Sequence, residues 1–300
     1  MQESSIKNYL LLHLIVFIWG FTGILGALIT IEAIPLVFFR MALAVCIIAI
    51  YFLIKKKSFF LNKKGIFKFL FSGIIIAIHW IFFFKAIKIS NVSVALVTMS
   101  TGAFFTSFIE PLFFKRRIKP LEIFLGSIVI IGLYIIFNFE SQYQLGIFYA
   151  LISSFLGALF AVLNGVYIKE YDANRISFYQ LLFGTLFVTI YLLLNNSFSI
   201  SFFILSKSDW VYLFILSSVC TAYAFIASVK VMKFISPYTV MLTINLEPVY
   251  AIVLALFIFG DKEKMKPEFY LGASIVLAVV LINGIIKNKS AIKEKFKRTY

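Results

Sequence analysis

Apolar runs of about 20 residues, separated by short polar stretches, follow one another from one end of this 300-residue chain to the other. A helix needs ~20 predominantly apolar residues to cross a hydrocarbon layer ~30 Å thick. The pattern therefore predicts ten spans, at about 8–30, 34–54, 66–88, 91–114, 119–138, 145–167, 174–194, 209–232, 236–259 and 267–287. No segment is polar enough for a soluble domain of its own. The expected fold is an all-α integral membrane protein of ten transmembrane helices. The first run, from Tyr9, lacks a small-x-small cleavage site and is read as a retained helix.

One run departs from its neighbours. Between Ser236 and Gly260 an apolar stretch carries Glu247-Pro248 near its middle. At ~1.5 Å per residue, Glu247 lies about 16 Å from Ser236, close to the bilayer midplane. A carboxyl group there costs roughly 2.5–3.5 kcal/mol, so it faces protein or water. Pro248 supplies no N–H and frees backbone acceptors that a cavity or neighbouring helix must satisfy. The pair predicts a pathway lining; the competing reading is an acid hydrogen-bonded between helices, with the proline shaping packing only.

Composition adds that 62% of residues are hydrophobic and 14% charged, against roughly 25% charged in soluble domains. The formal charge is +15, which in a soluble chain would raise nucleic acid. Here the basic residues sit between apolar runs, as in Lys55-Lys56-Lys57, Lys115-Arg116-Arg117 and the tail from Lys293 to Arg298. They read as topology signals and contacts to anionic lipid heads, with no nucleic-acid partner. Twenty-one of the 28 Lys and Arg fall on one side if both termini are cytoplasmic, and six on the other. This predicts both termini inside a cytoplasmic (inner) membrane. Cys46 and Cys220 lie within apolar runs and offer neither metal spacing nor a disulfide framework.

The halves echo each other. With an offset of 146 positions, Ile89, Ser90, Val94, Leu96, Phe113, Glu122, Leu125 and Gly126 meet Ile235, Ser236, Val240, Leu242, Phe259, Glu268, Leu271 and Gly272. Five spans per half would make the second copy inverted, a common transporter plan. The expected repeats are 8–138 and 145–287, followed by a basic cytoplasmic tail, 288–300. Glu247-Pro248 falls opposite Thr101-Gly102, so the acid has no first-half counterpart.

At this point the chain resembles the EamA-like branch of the drug/metabolite transporter superfamily. The resemblance rests on IWGFTGILG at 18–26, Phe38-Phe39-Arg40, HWIFFFKAIKISNVSVALVT at 79–98 and NLEPVYAIVLALFIFGD at 245–261. It implies ten helices in inverted five-helix repeats, cytoplasmic termini and a central substrate cavity. It also implies a functional arginine at Arg40. The acid usually found just after the ninth helix is Asp261 here, and its first-half counterpart is Lys115.

Intramembrane polar groups supply the candidate site, because each is costly unless satisfied or used. Arg40 could bind a substrate carboxylate; the alternatives are a salt bridge to Glu32 or snorkelling. His79 could relay protons and Trp80 could stack a substrate, or both fill space. Trp19, Thr98, Thr101, Asn164, Tyr223 and Asn245 complete the expected substrate or ion pathway with Glu247, Pro248 and Arg40. Glu110 is placed at the cytoplasmic interface as a salt bridge or gate element. Lys85 is read as snorkelling to the outer interface, or as a gate. Gly20, Gly23 and Gly26 make a smooth helix face for close packing or sliding, and His13 is read as packing. The 37 phenylalanines are read as lipid-facing bulk.

No nucleotide loop, metal cluster or hydrolase motif occurs, so no cofactor and no enzyme activity are expected. The reading is a secondary carrier of small metabolites such as amino acids, working by alternating access as an exporter. Glu247 would take a substrate amine or a coupling proton. The alternatives are a membrane enzyme acting on lipid or isoprenoid, and a non-transporting interaction protein.

Overall fold

The computed structural model describes residues 6–115, 117 and 120–299, with side chains throughout except at 122, 123, 280, 283, 284 and 287–299. Arg116 and Lys119 of the second basic cluster lie outside the described residues. The side chains of Glu122, Gly284 and the basic tail are likewise outside the description.

The described residues form helices α1 (Ile6–Leu28), α2 (Ala33–Ile54), α3 (Lys63–Ile89), α4 (Val92–Met99), α5 (Gly102–Phe114), α6 (Pro120–Phe139), α7 (Gln144–Tyr167), α8 (Ala173–Leu194), α9 (Ile200–Phe203), α10 (Lys207–Ser217), α11 (Ala224–Val231), α12 (Pro237–Ile244), α13 (Glu247–Phe259) and α14 (Pro267–Thr299). Eight helical stretches are long and apolar enough to cross a membrane, with α4–α5, α10–α11 and α12–α13 each counted as one. Two shorter apolar helices, Phe124–Phe139 and Pro267–Val279, accompany them. This is a multi-pass membrane protein. The α14 backbone stays helical to Thr299, beyond the expected end of the last span at 287.

Helix starts follow local chemistry. Asn62, Asn91, Ser206 and Ser236 accept hydrogen bonds from the N–H three residues on, and Asp172 from the N–H two residues on, satisfying donors that a helix leaves open. Pro237 and Pro267 sit at first helical positions, where their missing N–H costs nothing.

Bundle packing depends on close backbone approach. α3 lies against α7 and α8, α2 against α8 and α10, and α6 against α14. At the α3–α8 crossing, a Cβ on Gly73 would sit 2.6 Å from the Gln180 carbonyl, and one on Gly184 would sit 2.8 Å from that of Gly73. Gly132 and Gly272 pair in the same way between α6 and α14, at 3.0 and 2.8 Å. Small residues let membrane helices gain dispersion contacts that larger ones would block. Gly20, Gly23 and Gly26 are packed, against Tyr250, Val92 and Leu96, and Phe84 respectively.

Two spans are broken at mid-length and lie antiparallel, with α4 against α13 and α5 against α12. The break at Asn245-Leu246 agrees with the sequence. The one at Ser100-Thr101 does not, because 91–114 read as one continuous span. Ser100 Oγ returns to the Leu96 carbonyl at 3.3 Å and Thr101 Oγ1 to that of Thr98 at 2.8 Å; such back-bonding competes with the helix ladder and bends it. A third irregularity, the wide π turn Ser218–Tyr223, joins α10 to α11.

The stretch 195–208 holds only the four-residue α9. Its phenylalanines fold back onto the first turns of α2, where Phe202 stacks on Phe39 at 5.3 Å between centroids and Phe198 meets Phe38 edge-on at 5.5 Å.

Candidate functional site

Between α1, α2, α3, α7, the π turn, α11 and the broken α12–α13 lies a cavity of about 90 Å³. Trp19, Arg40, His79, Trp80 and Glu247 line it, five residues singled out by the sequence from four helices far apart in the chain.

Arg40 is 2% exposed, which removes the snorkelling reading, and no ion pair to Glu32 forms. Its Nε donates to Thr221 Oγ1 at 2.7 Å, and Thr221 donates in turn to the Leu216 carbonyl five residues back at 2.7 Å. That i−5 bond belongs to the π turn, so the turn itself aims the hydroxyl at the guanidinium. The plane lies on Trp80, with Cζ 3.8 Å from the ring centroid. A desolvated contact of this type contributes ~2 kcal/mol. Arg40 Nη1 is buried with no hydrogen-bond partner.

Glu247 opens α13, at the break, with Pro248 buried beside it. Among the described residues its carboxylate has no hydrogen bond and no ion pair, Arg40 included. His79 is fixed by Ser153: Nδ1 lies 2.7 Å from the Ser153 carbonyl, and Ser153 Oγ donates to the His79 carbonyl at 2.8 Å. Gly157 lies under the ring, leaving room for it. A carbonyl acceptor at Nδ1 places the proton there in the neutral ring and leaves Nε2 as the acceptor side. Trp19 Nε1 donates to the Cys220 carbonyl at 3.0 Å, another backbone group turned aside by the π turn. Phe160, Phe225, Met232 and Met241 complete the apolar wall.

The other candidates lie elsewhere. Thr98 returns its hydroxyl to the Val94 carbonyl, and Thr101 also meets Ser154 at 2.9 Å; both are fully buried off the cavity. Asn164 accepts from Gln180 Nε2 at 2.7 Å, which also reaches Ser72 at 2.8 Å, a polar clasp between α7, α8 and α3. Tyr223 is 48% exposed on a groove at the side of the bundle. Asn245 is buried at the break. Lys85 is exposed, its Nζ 5.1 Å over the Tyr149 ring. Glu110 lies in a second cavity and accepts from Tyr238 N–H at 3.4 Å.

Sequence reading missed Thr221, Phe160 and the π turn. The signal for Thr221 was a buried hydroxyl in a span, but SVCTAY carries no proline or glycine to mark a helix defect.

No curated protein matches the chain. A solved structure described only as "Crystal structure of protein" superposes with a TM-score of 0.69 at 12% identity, over 95% of this chain and 99% of that one. At that identity the likeness is one of fold. The profile of the EamA-like transporter family matches twice, at residues 6–138 and 144–285. These two matches span nearly the whole bundle and its cavity, and the chain belongs to the EamA-like transporter family.

Proposed function

We propose that this protein is a secondary carrier for small zwitterionic metabolites, amino acids or compounds related to them, and that it exports them by alternating access. One observation carries the reading. Arg40 and Glu247 bring opposite charges to one cavity, Nη1 lacks any partner, and the Glu247 carboxylate lacks one too. A ligand bearing a carboxylate and an ammonium would supply both, the first through a charge-assisted bond to the guanidinium. The aromatic wall suits an apolar side chain. Glu247 takes the substrate amine or, in its absence, a coupling proton.

The proposal extends to the architecture. The two shorter apolar helices complete ten spans, in inverted repeats 8–138 and 145–287, with 288–300 as a tail. The antiparallel course of the two broken helices supports inversion. The 21-to-6 bias of Lys and Arg supports cytoplasmic termini in an inner membrane, with the basic connections against anionic lipid heads. No observation favours the enzyme reading.

Counterflow into proteoliposomes tests the carrier. Labelled amino acids should exchange saturably, and a pH gradient should change the rate if protons are coupled. Arg40→Gln should weaken carboxylate substrates at least tenfold more than substrates that lack a carboxylate. Absence of flux across amino acids, nucleosides and amines, with folded protein, would overturn the reading.

A further inference from the structure

One groove takes no part in the central cavity. α8 packs against both α2 and α11, and α2 packs against the π turn. Between α2 and α11 runs a groove of about 600 Å³. Its walls are apolar: Ile47 and Ile48 from α2, Ile226 from α11 and Ala222 from the π turn. Tyr51 and Tyr223 line it as well and are 38% and 48% exposed, so the groove opens at the side of the bundle.

One end carries charge. Lys57, Lys230 and Lys233 line it, where α2 and α11 end and α8 begins. Lys57 Nζ lies 5.2 Å over the Tyr51 ring. The acid beside them, Asp172, is tied to its own helix start, accepting from Asn174 N–H at 3.0 Å and from its Nδ2 at 2.6 Å. Three ammonium groups against one carboxylate leave this end positive. Among the described residues, none of the three is in an ion pair.

The length has a meaning too. Ser218, at the far end, precedes Lys230 by twelve residues, or ~18 Å at helical rise. One leaflet supplies ~15 Å of a hydrocarbon layer ~30 Å thick. The apolar part is thus about as long as one leaflet is deep, with the lysines at headgroup level. Basic pockets between membrane helices at that level suit anionic heads.

The deep end is the π turn itself. Ser218, Ala222 and Tyr223 line the groove. On the cavity side of the same turn, Thr221 holds Arg40 and the Cys220 carbonyl holds Trp19.

We propose that this groove seats one anionic phospholipid from the leaflet on the side of the termini. Its phosphate lies on Lys57, Lys230 and Lys233, and one acyl chain runs between α2 and α11 to the π turn. The bound chain braces that turn, and Arg40 with it. The seat rests on reading the basic connections as a lipid-facing surface, and it assigns one lipid to one place on that surface.

The test uses the full chain in detergent micelles with added phosphatidylglycerol or phosphatidylcholine. Native mass spectrometry counts bound lipid, and melting in the same micelles reads the bracing. One phosphatidylglycerol should be retained in preference to phosphatidylcholine and should raise the melting temperature. Lys57→Gln, Lys230→Gln and Lys233→Gln together should weaken that binding at least about tenfold and abolish the rise. Ile226→Trp, which fills the groove and spares the lysines, should lose the lipid as well; should it fail to fold, Ile47→Trp replaces it. Lys55→Gln, Lys63→Gln and Lys64→Gln together remove the same charge from the same side and should keep both binding and rise. Equal losses in the two triple variants would leave a general attraction to lipid heads and overturn the seat. Retention of anionic lipid by no variant and not by the native chain would overturn both. Equal retention of phosphatidylcholine, or the same protection by inorganic phosphate, would overturn the anionic lipid as occupant. Lipid bound with no rise in melting would overturn the bracing.

Discussion

The two broken spans bend at matching places and do different chemistry there. At Ser100-Thr101-Gly102 every hydroxyl turns back to its own helix or to Ser154, so the bend closes on itself and carries no charge. At Asn245 to Pro248 the chain does the reverse. Pro248 offers no N–H to the Ile244 carbonyl, and Glu247 lays a carboxylate on the cavity without a protein partner. A helix break in a membrane is thus a scaffold. It becomes a site only where its polar groups are left for something else to satisfy.

The comparison can be broken most directly at the two matched residues. Glu247→Gln should cut counterflow at least tenfold, while Thr101→Val should change it less than threefold and cost about 1 kcal/mol of stability, the worth of one buried hydrogen bond. Equal losses would make both breaks structural. Arg40→Lys comes next. It keeps the charge but loses the stacked plane on Trp80 and the Nε bond to Thr221, so affinity for a carboxylate substrate should fall about tenfold, read by substrate concentration dependence.

Smaller effects separate the surroundings of the breaks. Gly20→Ala would press a methyl to 3.2 Å from Tyr250 Cβ and 3.7 Å from the Glu247 carbonyl. It should lower thermal stability by about 1 kcal/mol and slow transport. Gly102→Ala would press on the flexible end of Met241, at 2.8 Å, and otherwise meet Ser154 Oγ at an ordinary 3.4 Å. The methionine yields readily and the change gains helix propensity, so stability should hold within about 0.5 kcal/mol. The smallest effect is a control outside both breaks. The hydrogen bond from Lys68, at 2.6 Å, holds the Glu170 carboxyl below its ordinary value of 4.5. The pair therefore stabilises the fold above that pH and is lost as pH falls through the lowered value. Because Glu170 is half exposed, acid melting below its ordinary value should show under about 1 kcal/mol from it, and Lys68→Gln should remove that increment.

Hydrophobic run lengths made the helices and their order legible, since lipid imposes a fixed thickness on every span. The residues Arg40, Glu247, His79, Trp80 and Trp19, picked out along the sequence, come together on one cavity. Asn164 and Thr98 lie off that cavity and bond to Gln180 and to the Val94 carbonyl, with Asn164 Nδ2 buried and unpaired. The difference lies in long-range pairing, which a single sequence does not display. The break at Ser100 escaped notice because serine and threonine bend a helix through hydrogen bonds to their own turn. Glu263, which accepts from the N–H groups of Val92 and Ser93 at 2.9 Å each, escaped because it sits two residues past Asp261, the acid the family pattern emphasises. Asp261 spends its carboxylate on exposed Lys264 at 2.6 Å.

The π turn at Ser218–Tyr223 is, in register terms, one residue spliced into an otherwise regular helix. Removing a single residue there would leave the span long enough and apolar enough to cross the membrane, and hydropathy would record nothing. Every side chain of α10 would nonetheless rotate about 100° relative to those of α11. Arg40 would lose its hydroxyl and Trp19 its carbonyl together. Length along this helix is therefore a coordinate of the binding site, as binding as the identity of any residue that lines it.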